Sequence, residues 1–253
     1  MFIDTHCHIH ESDYPLDREE TLVRARQSGV EKMICVGTSE QSSKDAVAFV
    51  RDRDGLVASV GAHPHEAKDG WKEVERLLGA DSARNDKIVA VGEIGLDYFY
   101  THSPREAQIM ALEAQIDLAL KYNLPIIFHV REAFADFWPI FDNFRGIRGE
   151  LHSFTDTAMQ LEEGLKRGLY VGVNGISTFT KDETQKTTFQ SIPLSRLLLE
   201  TDAPFLTPTP FRGKVNEPAF VKYVAEHQAS IRGLSLDEIA ETTTANATAL
   251  FAL

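Results

Sequence analysis

Short apolar runs recur about every thirty residues along this chain, and a polar side chain suited to metal binding closes most of them. Eight runs read as strands: Phe2 to His6, Lys32 to Gly37, Leu56 to Gly61, Ile88 to Glu93, Pro125 to His129, Gly149 to His152, Leu169 to Val173 and Arg196 to Glu200. Segments of helical period with charged faces lie between them, including Arg18 to Gln27, Ser42 to Arg51, Pro104 to Lys121 and Asp156 to Arg167. Ser103-Pro104 predicts an N-cap followed by proline at the first helical position, with Glu106 in the first turn. Glu217 to Leu253 reads as two closing helices, the second capped by Ser235.

Strict alternation of strand and helix predicts a parallel α/β fold. Eight repeats favour a closed TIM-type (β/α)8 barrel over an open sheet, and the absence of a glycine-rich dinucleotide fingerprint or phosphate loop points the same way. A chain of 253 residues with no Pro/Ser-rich linker fits one such domain, spanning 1–253. The loop from Ala203 to Pro218, rich in Pro and Thr, is the longest irregular stretch beside the face where active sites of such barrels lie.

Composition changes this picture little: 43% hydrophobic and 25% charged residues are ordinary for a globular protein. Charge changes it more. A net −12 counts against a broad electrostatic footprint on duplex nucleic acid, but leaves room for a substrate whose phosphate is held by metal and a few arginines. No signal peptide is expected, because the start has neither a basic n-region nor a long apolar h-region; no stretch is apolar enough to span a bilayer, and two cysteines make no disulfide framework. A cytoplasmic monomer with no membrane partner is expected.

Six of the closing side chains are His6, His8, Glu93, His129, His152 and Asp202. A parallel barrel gathers the C-terminal ends of distant strands, so these residues are expected to ring one metal site. His6 and His8 alternate along a strand and point the same way, whereas Cys7 points toward the helical layer as a small buried hydrophobe. Of nine histidines, only His102 and His227 lie away from strand ends. Imidazole nitrogens with carboxylate oxygens suit zinc, manganese and, less selectively, magnesium. Six ligands exceed the needs of one tetrahedral ion, so two divalent ions bridged by Glu93 are the natural arrangement. Asp202 is placed to touch an ion and to take a proton from activated water, which makes Glu93 and Asp202 the candidate catalytic residues. Capping of the Ala203-Pro204 turn is the alternative reading of Asp202.

The chain resembles the TatD family of metal-dependent deoxyribonucleases, within the amidohydrolase-like metallo-hydrolases. The resemblance rests on Phe2-Ile3-Asp4-Thr5-His6-Cys7-His8, Gly61-Ala62-His63-Pro64-His65, Gly92-Glu93-Ile94-Gly95-Leu96-Asp97-Tyr98, His129-Val130-Arg131-Glu132, Leu151-His152-Ser153-Phe154, Glu200-Thr201-Asp202-Ala203-Pro204, and Arg212-Gly213-Lys214 followed by Asn216-Glu217-Pro218. It implies that His6, His8 and Asp202 hold one ion, that His129 and His152 hold the other, and that Glu93 contacts both. It also implies a distorted barrel and hydrolysis of DNA phosphodiesters, often from the 3′ end of single strands. His10 stands where the family usually has Asp or Asn, and Glu132 where Asp is common.

Beyond the ligands, His63, Arg131 and Arg212 are candidate substrate contacts. An ion pair is the competing reading for each arginine, and support of the ligand ring is the competing reading for His63. Asp97 is placed to orient a ligand histidine. Tyr98, Phe99 and Tyr100, like Phe205 and Phe211, suit either stacking on an unpaired base or packing under their own loop. Two other functions remain open at this stage: the same centre acting on a small ester, lactone or amide, and a metal-stabilised scaffold without turnover.

Overall fold

The computed structural model describes residues 1–79 and 86–253. Among them lie the strands β1 (Phe2–Cys7), β2 (Val30–Val36), β3 (Leu56–Val60), β4 (Ile88–Asp97), β5 (Ile126–Arg131), β6 (Gly149–Leu151), β7 (Tyr170–Val173) and β8 (Leu197–Leu199). The helices are α1 (Arg18–Gln27), α2 (Glu40–Val50), α3 (Lys72–Gly79), α4 (Arg105–Lys121) and α5 (Phe134–Asp142), then α6 (Ala158–Lys166), α7 (Ile176–Phe179), α8 (Glu183–Ser191), α9 (Val221–Arg232) and α10 (Leu236–Phe251). The strands form one sheet in chain order from β1 to β8, with parallel pairing of β3 with β4, β4 with β5, β5 with β6 and β7 with β8. This is the expected (β/α)8 barrel class.

Two compact units divide the chain. The first comprises Met1–Ile34 and Ser153–Leu253; the second is the continuous segment Cys35–His152. In the first unit, a parallel bridge joins Cys7 to Ala203, and Thr5 donates through its hydroxyl to the Leu199 carbonyl, so the ends of β1 and β8 lie side by side. The apolar run Leu197–Leu199 is buried, and α10 packs on it behind a capping box between Ser235 and Glu238, as expected from the sequence. α9 stops at Gly233, whose φ of 66° is cheap only without a side chain.

The second unit is built around β4 and β5. Phe128 on β5 packs against Phe137 and Phe141 of α5, with ring centroids 5.1 and 5.8 Å apart. Two buried glutamines seven residues apart on α4 share one face and clamp the strand ends. Gln115 accepts from Ala62 N (2.7 Å) and donates to Ala62 O (3.1 Å); Gln108 does the same with Asp97, at 2.8 and 3.0 Å. One expectation fails here. Ser103 does not cap α4, which begins at Arg105 with no side-chain cap; its hydroxyl donates instead to the His65 carbonyl at 2.7 Å, an acceptor offered by the turn after β3.

Candidate metal centre

In the first unit Asp4 fastens β1 to the residues after β8. Its carboxylate accepts from Thr201 N at 2.8 Å and from Thr201 Oγ1 at 2.6 Å. Burial raises the Asp4 carboxyl well above the usual range, against the lowering effect of those Thr201 hydrogen bonds. The pairing continues as Asp202 N donates to His6 O and His8 N to Ala203 O, both at 2.8 Å. Three side chains are thereby brought together. His6 Nε2 and His8 Nε2 lie 3.1 Å apart, and Asp202 Oδ1 lies 3.7 and 3.3 Å from them. Asp202 adopts φ 59°, a left-handed conformation that non-glycine residues hold mainly where surrounding structure imposes it. Cys7, fully buried between the two histidines, donates its Sγ–H to Ile34 O and stays out of the cluster.

In the second unit Glu93 is the hub. The sequence places it at the end of the fourth strand, but β4 runs on to Asp97 and Glu93 sits inside it. The β4–β5 register shifts between Val91 and Ile94, and such an irregularity re-aims a side chain in mid-strand. Glu93 Oε1 lies 2.8 Å from His129 Nδ1, 3.6 Å from His63 Nε2 and 3.8 Å from His152 Nε2. Single donor atoms of His63, Glu93 and His129 all fall within 4.8 Å of one another. His63 therefore stands among the ligand candidates as well as beside any substrate.

Asp97 orients the cluster as expected and does more. Its Oδ2 lies 2.9 Å from His129 Nε2 and 3.1 Å from His65 Nε2, while Oδ1 accepts from the Phe99 and Tyr100 amides, both at 3.0 Å. Asp97 accepts the Nε2–H of His129, so an ion taking the place of the Nδ1 proton would meet a ring already oriented for it. Burial alone would depress His129, but its hydrogen bonds to Asp97 and Glu93 outweigh burial and raise it to about 9. Asp97 falls below the usual carboxylate range because contacts from His129, the Tyr100 amide and His65 overcome its own burial. His63 is pushed well down, first by burial and then by the neighbouring His129 charge. His65 lies outside the site residues expected from the sequence, although His63-Pro64-His65 repeats the His-x-His spacing of the first motif.

The two candidate arginines make no ion pair among the described residues. The Arg131 guanidinium carbon lies over Phe99 at 4.0 Å and Tyr100 at 4.9 Å. Arg212 lies 3.8 Å from the Phe179 ring centroid and donates to Thr207 O at 2.8 Å. Of the ambiguous aromatics, Phe211 packs, stacked on Phe220 at 4.5 Å, whereas Phe205 is 60% exposed with its ring 6.5 Å from His8.

Buried imidazole nitrogens and carboxylate oxygens converging at these distances have the donor chemistry of divalent metal sites, so the residues fit such an ion. With the (β/α)8 fold they define a metal-dependent hydrolase. The chain belongs to the TatD-related DNase family, whose description matches residues 3–252. It is 40% identical, over 99% of both chains, to the uncharacterised metal-dependent hydrolase YabD of Bacillus subtilis. It is 34% identical, again over 99% of both, to the 3′-5′ ssDNA/RNA exonuclease TatD of Erwinia amylovora. The solved structure of YjjV, a TatD homologue from Escherichia coli, covers all of this chain with 98% of its own length, at a TM-score of 0.91 and 32% identity. No helix among the described residues is long and apolar enough to cross a membrane.

Proposed function

We propose that this hydrolase uses two divalent ions, of magnesium, manganese or zinc, to cleave phosphodiester bonds at single-stranded DNA ends in the 3′-to-5′ direction. The observation that carries the reading is that metal-suited side chains come together within each unit: His6, His8 and Asp202 in the first, and Glu93, His129 and His152 in the second. The named exonuclease relatives supply the substrate class. Bound ions would activate water and neutralise charge on the scissile phosphate.

The chain's own side chains have separate tasks in this scheme. Asp202 accepts the proton of the attacking water. Glu93, which the family pattern assigns to both ions, would share in holding them. Asp97 holds the His129 tautomer. His63 and the guanidinium groups of Arg131 and Arg212, neither held by a carboxylate among the described residues, take phosphate oxygens. The buried thiols of Cys7 and Cys35, which form no disulfide among the described residues, accord with a cytoplasmic home.

The test incubates metal-reconstituted protein with 5′-labelled single-stranded DNA, RNA and small esters. Native protein should give a ladder shortening from the 3′ end, and Glu93→Ala and Asp202→Ala should each lose at least about 100-fold in rate. Equal cleavage by all three proteins, or a preference for a small ester, overturns the proposal.

A further inference from the structure

Arg131 and the two rings beneath it form a feature that metal binding leaves unexplained. In a chain of net charge −12, an exposed guanidinium with no carboxylate partner among the described residues is a poor structural choice unless it awaits an anion. Its guanidinium carbon lies over Phe99, 4.0 Å from the ring centroid, and 4.9 Å from that of Tyr100. Phe99 and Tyr100 are 49% and 43% exposed as residues, and their rings meet edge to face at 4.7 Å, so neither residue is buried under its own loop.

The group is also rigidly indexed to the metal ligands. Asp97 Oδ1 pins the Phe99 and Tyr100 amides while Oδ2 pins His129. Tyr98 N donates to Arg131 O at 3.0 Å, and the Tyr98 hydroxyl donates to Asp136 at 2.6 Å, with the Arg105 guanidinium closing the same pair. A mobile aromatic loop would not need four such ties. An exposed aromatic surface carrying an unpaired cationic fork, fixed beside a hydrolytic centre, suits a ligand that is planar and anionic at once.

We propose that Phe99, Tyr100 and Arg131 form a nucleotide platform, the rings taking the face of an unpaired base and Arg131 the adjoining phosphate, next to the scissile bond. This rests on the nuclease reading and adds to it a means of selecting unpaired ends, since a base locked in a duplex cannot offer its face to the rings.

The experiment compares native protein, Phe99→Ala and Phe99→Trp, all metal-loaded, on two single-stranded oligonucleotides that differ only in whether the terminal nucleotides carry bases or are abasic. The exposed position makes these variants safe for folding. On the base-bearing strand, Phe99→Ala should raise KM about tenfold with kcat little changed, and Phe99→Trp should restore the native value. On the abasic strand, native protein and Phe99→Ala should have the same KM. An equal loss on both strands, or no loss on either, overturns the platform and leaves the nuclease reading intact. No cleavage of either strand by native protein overturns the nuclease reading and the platform with it.

Discussion

Asp97 divides its carboxylate between chemistry and shape. One oxygen holds two imidazoles, and the other holds the backbone of the aromatic turn. Asparagine in its place keeps one acceptor oxygen but turns an amide toward His129, which reverses the tautomer presented to Glu93. Asp97→Asn should therefore weaken divalent-ion affinity about 10- to 100-fold, read by calorimetric titration of the apoprotein, with little change in its melting temperature. Unchanged affinity would mean that His129 takes no orientation from Asp97. At this scale the sequence was informative wherever a residue type has few uses. His6, His8 and Asp202 stood out because histidines and carboxylates closing apolar strands have little other reason to be there, and Asp97 followed from them. Arg131 did not resolve, because an arginine in a string of letters pairs equally well with an acid, a ring or a substrate. Only the cation–π stack and the missing carboxylate separate these.

At the scale of elements, β4 is where pattern reading fell short. Its first four residues are plainly apolar, but the strand continues past Glu93 and through Gly92 and Gly95, glycines that normally punctuate a strand. The register shift near Glu93 has no signature of its own, so the strand's true length and the mid-strand position of its carboxylate emerge only from pairing with β5. Gly95 explains part of the composition. It has φ 155°, and a Cβ there would sit 1.8 Å from the His129 carbonyl oxygen. Gly70 also has an extended positive φ, 99°, but nothing lies within 4 Å of its missing Cβ. Gly70→Ala should cost about 1–3 kcal/mol from backbone strain alone. Gly95→Ala should cost clearly more in urea unfolding and also weaken metal binding, because the carbonyl it displaces belongs to a ligand candidate. Equal destabilisation by the two substitutions would refute a close β4–β5 approach. The helices were read within a few residues where charged faces alternate, as in α1, whereas α5, with Phe134, Phe137, Trp138 and Phe141 and an internal proline, lacks the polar face that makes a helix legible.

At the scale of the molecule, each unit carries one set of metal-suited side chains, so bound ions should stabilise the fold as well as serve the reaction. An ion present at about 100 times its dissociation constant adds about 2.7 kcal/mol, or roughly 5–10 °C in melting temperature for a chain of this size. Chelation should lower the thermal midpoint by that order, and restoring magnesium, manganese or zinc separately should rank the three by the recovery each gives. A midpoint indifferent to chelator would argue against tight binding in either unit. The barrel class was readable from the count and spacing of apolar runs, because strand–helix alternation constrains topology strongly. The division into a continuous and a discontinuous unit was not, since it depends on which distant segments touch.

That division sets a schedule for the nascent chain. The Thr5 hydroxyl on β1 bonds a carbonyl 194 positions downstream. At a synthesis rate of about 5–20 residues per second, β1 emerges from the ribosome roughly 10–40 s before its β8 partner exists. The continuous segment Cys35–His152 has all of its own residues in place well before β8 is made. One edge of the amino-terminal strand must therefore stay unpaired in the crowded cell for longer than most small domains take to fold, which makes the growing polypeptide a natural client for chaperones that shield exposed strand edges.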